Sequence, residues 1–440
     1  MSVTIDFQKY NTVIEENDGI AIEGYVSGLI GLTIEGKGPV APIGTPCCIY
    51  SKNAAALPIQ TEVVGFSEGK TLLMPLGDIS GIAPGDKIVV VKRKARLRVG
   101  KAVLGRILDG LGNPIDGKGP IFSEKDCPLF PEPIDPMQRK IITEPLDVGI
   151  KAINGVLTIG KGQRVGILAG NGIGKSVLMG MISRNTSADV CVIALIGQRG
   201  NEVREFIESG LGKERLKRTI IVAATSDQPP LVRIRAAIVA TTIAEYFRDL
   251  GKDVVLMMDS ISRIAQAQKE VGLAIGGPPA TKALTPSVLS LLAKILERAG
   301  FAKGKGSITG FYTVLVEGDG LAEPISDLLR SILDGNIILS RDLATQNHYP
   351  AIDILNSISR NMINMVSDEQ MILADRIIEI LATYKKYENI INGGSYVGGK
   401  SHKLSLAIEM INSINKFLKQ GIFEKVDFQK TIDQMKVILN

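Results

Sequence analysis

The chain has 440 residues, 22% of them charged, with both signs mixed to a formal net charge of only +5. That length predicts two or three domains, and the small net charge argues against a dedicated nucleic-acid binder. No apolar run reaches the roughly 18 residues of a membrane span, and the four cysteines, at positions 47, 48, 127 and 191, have no metal-ligand spacing and predict a reduced, cytoplasmic chain.

Residues 1–18 are polar, with Phe7, Tyr10, Val13 and Ile14 near helical spacing. They predict one weak amphipathic helix and lack the pattern of a signal peptide. From 19 to 97, short β-rich runs at Gly24–Ser27, Gly31–Ile34, Pro46–Tyr50, Gln60–Phe66, Lys70–Pro75 and Lys87–Val91 alternate with turn signals. Such spacing predicts a small closed β-barrel. The turn-dense stretch Leu104–Gly117 reads as a connector, and the proline-rich stretch 127–137 reads as extended rather than folded. Strands are then expected at Val165–Ala169, Val190–Ile196, Thr219–Ala223, Val254–Met258, Ser307–Glu317 and Asn336–Ser340, with helices beginning near Val177, Asn201 and Leu231. This alternation predicts βαβ units and a parallel sheet covered on both faces. After Arg360 helical periodicity takes over at Asp368–Tyr387, Leu404–Gln420 and Asp427–Leu439. The expected division is a tail at 1–18, a barrel at 19–97, an α/β nucleotide-binding core at 98–360 and a helical domain at 361–440.

The stretch Ala169-Gly170-Asn171-Gly172-Ile173-Gly174-Lys175-Ser176-Val177 carries the clearest chemistry. Phosphate oxygens need several inward N–H groups, which a tight glycine-bearing turn supplies, and a helix N-terminus adds partial positive charge. Lys175 is placed to reach the β- and γ-phosphates and Ser176 to ligate Mg²⁺, with Ala169 standing where the signature has glycine. Asp259, ending an apolar strand, brings a carboxylate to the same sheet edge for the Mg²⁺ shell. Gln198, Arg199 and Glu202 follow the second strand, where hydrolysis needs a group that orients and polarises water. Gln198 cannot accept a proton, and Glu202 suits capping of the following helix as well as catalysis. Arg360 closes Ser357-Ile358-Ser359-Arg360 and fits an arginine finger, although spacing alone reads it as a surface arginine. Tyr349 offers a flat ring for adenine or simply packs in its loop.

These residues together resemble the rotary-type hexameric ATPases, and within them the ATPases of flagellar export and type III secretion. The resemblance covers nearly the whole chain. It rests on Leu104–Gly117, Gly162–Ile167, Asp259-Ser260 with Ala265–Gly276, Pro278–Thr281, Pro286–Val288, Leu296–Gly300, Tyr312–Asp319, Ile332–Gly335 and His348–Asp353. It implies a RecA-like core, a homohexamer, and ATP with Mg²⁺ at subunit interfaces. Arg360 then matches the finger donated across the interface, and Tyr349 the tyrosine beside adenine. Val271–Thr281 resembles the loop facing a central pore. Implied partners are stator and stalk proteins, an export gate and chaperone–substrate complexes, at the cytoplasmic base of the inner membrane and only peripheral to it. The chain departs from the family pattern at Gln198, where a catalytic glutamate is usual, and at Gly277, Lys282, Ala283-Leu284 and Gly320. Two rival functions follow from the residues: a nucleotide-binding ring scaffold with weak hydrolysis, suggested by Gln198, and an RNA-translocating hexameric helicase. The helicase is disfavoured by an N-terminal region that is aromatic-poor and mixed in charge.

Overall fold

The computed structural model describes residues 21–52, 57–91, 95–132, 134–277, 284–302, 304, 306–316, 324–392 and 402–439. The predicted helix within 1–18 lies outside them, as do residues 278–283 of the pore-side loop and residues 317–320.

Six strands, β1 (Glu23–Ile30), β2 (Thr33–Lys37), β3 (Pro46–Tyr50), β4 (Ile59–Ser67), β5 (Lys70–Pro75) and β6 (Lys87–Val90), close into a barrel in the order β1-β2-β5-β4-β3-β6. Alternation turns Val26, Ile34, Cys47, Ile49, Val63, Leu73 and Ile88 inward as its core. Gly31, expected within a strand, has a φ of 57° and forms the turn between β1 and β2. Glycine takes that conformation without a Cβ clash.

β7 (Arg96–Val99) and β9 (Lys125–Pro128) pair as a two-stranded ribbon, and between them β8 (Ile107–Asp109) joins the edge of the large sheet. The connector and the start of the proline-rich stretch are therefore partly strand. Pro128 is tolerated because it closes its strand, and a one-turn 3₁₀ helix at Pro136–Gln138 follows, started by Asp135, which accepts from the Met137 N–H.

The large sheet adds β10 (Arg164–Ala169), β11 (Val190–Gln198), β12 (Thr219–Thr225), β13 (Asp253–Asp259), β14 (Gly300–Phe301), β15 (Ser307–Leu315), β16 (Gly335–Ile338) and β17 (Ile358–Ser359). Its order is β17-β16-β10-β15-β13-β11-β12-β8, parallel from β16 to β8, with short antiparallel pairings by β17 and β14. Strands covered on both faces need apolar residues at every position, and nine apolar residues of β10, β11 and β13, namely Ile167, Val192, Ile193, Ala194, Ile196, Val255, Leu256, Met257 and Met258, have no exposed surface.

Helices α1 (Lys151–Val156), α2 (Lys175–Asn185), α3 (Gly200–Glu205), α4 (Pro230–Asp249), α5 (Ile261–Ala274), α6 (Pro286–Leu296) and α7 (Pro324–Ile332) surround the sheet. The expected helix over Asn201–Gly210 is α3 running into a π-helical turn at Phe206–Leu211. The C-terminal unit consists of α8 (Asp368–Asn392), α9 (His402–Leu418) and α10 (Phe428–Leu439). It docks on α1, where Gln370 Nε2 donates to Asn154 O, Gly155 O and Thr158 Oγ1 at 3.0, 3.2 and 2.9 Å. The barrel docks through a buried Arg235–Glu62 ion pair and a bond from Thr33 Oγ1 to Ala274 O of 3.1 Å. Among the described residues no helix is long and apolar enough to cross a membrane.

Candidate functional site

At the carboxyl edge of the sheet, β10 ends at Ala169 and the chain reverses through Gly170–Gly174 into α2. Gly172 and Gly174 have φ of 77° and 97°, a region that side-chain-bearing residues rarely adopt. Gly174 stands at the N-cap of α2, whose first N–H groups have no partner within the helix and remain free for an anion. Ile173 is buried and its Cδ1 lies 3.0 Å from the Cβ position of Gly170, so its side chain anchors the loop without lining the cleft.

Three neighbouring strands converge on one carboxylate. Lys175 Nζ lies 2.6 Å from Oδ1 of Asp259, which ends β13, and Thr313 Oγ1 on the intervening β15 donates to the same oxygen at 2.6 Å. The Lys175 and Asp259 side chains are only 10% and 4% exposed. Ser176 and Asp259 line one cavity, and a hydroxyl with a carboxylate is the hard-oxygen donor set that Mg²⁺ takes.

The next strand, β11, ends at Gln198. A cleft of about 760 Å³ is bounded by Gly170, Asn171, Gly172, Gly174, Lys175, Ser176 and Val177 on one side and by Gln198, Arg199, Glu202 and Arg263 on the other. The Arg199 N–H donates to Glu202 Oε2 at 3.3 Å, so Glu202 does cap α3, and it does so from the cleft wall. Gly197, with φ of 67°, lets the chain pass Arg263, whose side-chain carbons lie 3.0–3.2 Å from where a Cβ would stand.

A second cavity of about 460 Å³ continues from Ser176, Val177, Gln198, Glu202 and Asp259 toward Arg184, Phe206 and Phe423. On the loop's other flank the Tyr349 ring stands 3.7 Å from the Cβ position of Gly174, 41% exposed. Its neighbour His348 is buried, and burial, followed by the charge of Lys419, lowers its pKa to about 4.

Arg360 does not enter this cleft. It follows β17 at the opposite edge strand, its N–H bonded to Asp334 O at 3.0 Å and its Nη2 donating to Arg330 O at 2.8 Å, with the side chain exposed.

Arg263, Thr313 and Phe423 were missed in the sequence. Arg263 had a signal, lying one helical turn beyond Asp259 on α5, whereas Thr313 is hidden in an apolar strand and Phe423 lies far along the chain in the helical unit.

The ATP synthase alpha/beta family nucleotide-binding domain matches residues 149–359, and the T3SS EscN ATPase C-terminal domain matches residues 366–437. The flagellum-specific ATP synthase of Bacillus subtilis is 48% identical, covering 95% of each chain. The type 3 secretion system ATPase of Xanthomonas euvesicatoria is 43% identical over 93% of this chain and 92% of its own. Among solved structures, the assembled ATPase EscN from the enteropathogenic E. coli type III secretion system superposes with a TM-score of 0.89 at 42% identity, covering 95% of this chain and 100% of that one. EscN has also been solved in complex with its central stalk EscO, at a TM-score of 0.87 with 42% identity, covering 95% of this chain and 100% of that one. A phosphate loop, a strand-end carboxylate and full-length similarity agree: this chain belongs to the flagellum-specific and type III secretion ATPases of the ATP synthase alpha/beta family.

Proposed function

We propose that this chain hydrolyses Mg·ATP at the interfaces of a homohexamer and drives substrate–chaperone release, unfolding or delivery to the gate of a flagellar or type III export apparatus. The observation that carries the reading is the convergence of Lys175, Asp259 and Thr313 beside the loop Gly170–Gly174. Lys175 is held at a carboxylate until a phosphate chain competes for it. The loop N–H groups and the start of α2 bind the phosphates, and Ser176 and Asp259 would hold Mg²⁺, which would supply charge neutralisation to the phosphate chain. Phe423, across the second cavity from Val177, and Tyr349, beside Gly174, offer flat rings for the base. Gln198 orients the attacking water, Glu202 is the carboxylate at hand on the cleft wall, and Arg199 and Arg263 add positive charge opposite the loop.

Arg360, remote from its own cleft and exposed at the sheet edge, suits donation to a neighbour's cleft. The working units are the tail 1–18, the barrel 19–97, the core 98–360 and the helical domain 361–440. By analogy with EscN and its stalk EscO, a central stalk protein is the expected partner of the assembled chain. Stator proteins, gate and chaperones act at the cytoplasmic base of the inner membrane. Turnover per protomer measured at rising protein concentration tests this: it rises with assembly, and concentration-independent turnover overturns the finger supplied in trans.

The amide at Gln198 favours a second reading, a nucleotide-binding scaffold with weak hydrolysis. Comparison with Gln198→Glu separates the two, because a scaffold leaves basal turnover near background while the variant turns over readily.

A further inference from the structure

Arg184, in the last turn of α2, joins three parts of the site that have no other common partner in the sequence pattern. Its Nη1 donates to Gly210 O in the π-helical turn Phe206–Leu211, which continues the segment that begins at Gln198. Its Nη2 donates to Ile422 O at 2.7 Å, and its guanidinium carbon lies 5.1 Å from the centroid of the Phe423 ring. The approach is close because Gly180 has no side chain: a Cβ there would stand 3.1 Å from Gly210 O and 3.2 Å from Arg184 Nη1. Phe423, Arg184, Phe206, Glu202 and Gln198 all line the same cavity beside Ser176. A π-helical turn inside a helix is a frequent feature of functional sites, and here its freed carbonyl is taken by the guanidinium.

We propose that Arg184 is a positioning residue that couples occupancy of the base side, at Phe423, to the placement of the water side, Gln198 to Leu211. The planar fork suits this task, since it can hold two carbonyls and stack on a ring at once, which an ammonium cannot do. A base packing on Phe423 restrains that ring and the guanidinium under it, and the guanidinium restrains Gly210 and the segment carrying Glu202. The inference rests on the nucleotide-site reading above.

The test uses the full-length chain with ATP and with inorganic tripolyphosphate, which keeps the phosphates and lacks the base. Equilibrium binding and hydrogen exchange of residues 200–211 are measured for the parent, Arg184→Ala, Arg184→Lys, Phe423→Ala and the Arg184→Ala/Phe423→Ala pair. In the parent, ATP protects 200–211 more than tripolyphosphate does. Arg184→Ala abolishes that difference and weakens ATP about tenfold, leaving tripolyphosphate affinity unchanged, and Phe423→Ala adds nothing further in the Arg184→Ala background. Arg184→Lys resembles Arg184→Ala, because the point charge restores neither fork nor stacking.

Multiplicative losses in the double variant, or base-dependent protection that survives Arg184→Ala, overturn the coupling. If Arg184→Ala unfolds, Arg184→Lys and Phe423→Ala still decide by the same protection difference. A parent that binds neither ATP nor tripolyphosphate sinks the nucleotide-site reading itself, whereas a parent that binds both with equal protection sinks only the role of Arg184.

Discussion

Lys175 and Asp259 are 84 positions apart in sequence and 2.6 Å apart in the fold, and their pairing dictates what single changes do. Lys175→Ala leaves the buried Asp259 carboxylate with Thr313 alone and removes the charge that meets the phosphates, so ATP binding measured by equilibrium methods falls below detection. Gln198→Glu places a proton acceptor at the end of β11; with Glu202 already accepting the proton in the parent, turnover in a steady-state phosphate-release assay rises by less than about tenfold. A gain of about 10²- to 10⁴-fold, the contribution of a general base, favours the scaffold reading instead.

His348 gives a pH dependence with a definite sign. Its folded pKa of about 4 lies below its ordinary 6.5, so the unfolded chain binds more protons between these values. Stability therefore falls as pH drops from about 6.5 to about 4 and is flat above that window. Because His348 adjoins Tyr349, protection of this loop falls in step, and His348→Gln flattens the slope in denaturant titrations across that pH range.

At the scale of elements, the junction between α1 and the C-terminal helices joins one apolar cluster with side-chain amides that satisfy buried polar groups. Gln370 Nε2 lies within hydrogen-bond distance of three acceptors in Asn154–Thr158, of which Asn154 O also accepts from Thr158 Oγ1 at 2.8 Å, and Gln420 Nε2 donates to Gly149 O at 2.7 Å while its Oε1 accepts from the Lys151 N–H at 2.9 Å. Gln370→Ala removes buried hydrogen bonds and costs about 1–3 kcal/mol, seen as a lower urea midpoint with α8–α10 opening first in hydrogen exchange. The loop Gly170–Gly174 is equally intolerant. Gly174→Ala puts a side chain at a φ of 97°, a strain of about 1–3 kcal/mol, and it weakens ATP binding without abolishing it. Glu202 shows that one side chain serves two ends, since its cap on the Arg199 N–H fixes the start of α3 and thereby holds the carboxylate on the cleft wall.

At the scale of the molecule, the cleft and Arg360 occupy different edges of one sheet. Among the described residues nothing within a single chain brings them together, so on the proposed reading a second copy completes the site. Mixing Lys175→Ala with Arg360→Ala protomers, each inactive alone, restores part of the turnover through interfaces that combine an intact loop with an intact finger. Mixtures as inactive as their components exclude a shared site. Arg360→Ala alone retains ATP binding and loses about 10³- to 10⁵-fold in rate, the scale of a finger's contribution to charge stabilisation.

Local chemistry is what the sequence by itself determined. Glycine positions from Gly170 to Gly174 set a turn that only glycine permits, an apolar run ending in Asp259 set a strand with a carboxylate at its edge, and alternation over 24–90 set the barrel. Each of these is specified by neighbours within a few residues. Only the tertiary structure decided that Thr313 shares Asp259 with Lys175, that Arg263 and Phe423 line the site, that α1 is the seat of the C-terminal helices, and that Arg360 lies outside its own cleft. Those facts arise where strands distant in sequence become neighbours in a sheet, and the order β16-β10-β15-β13-β11 is not encoded in any periodicity. The barrel and the phosphate loop were legible because hydrophobic pattern and turn chemistry are local; the site was only half legible because parallel pairing is not.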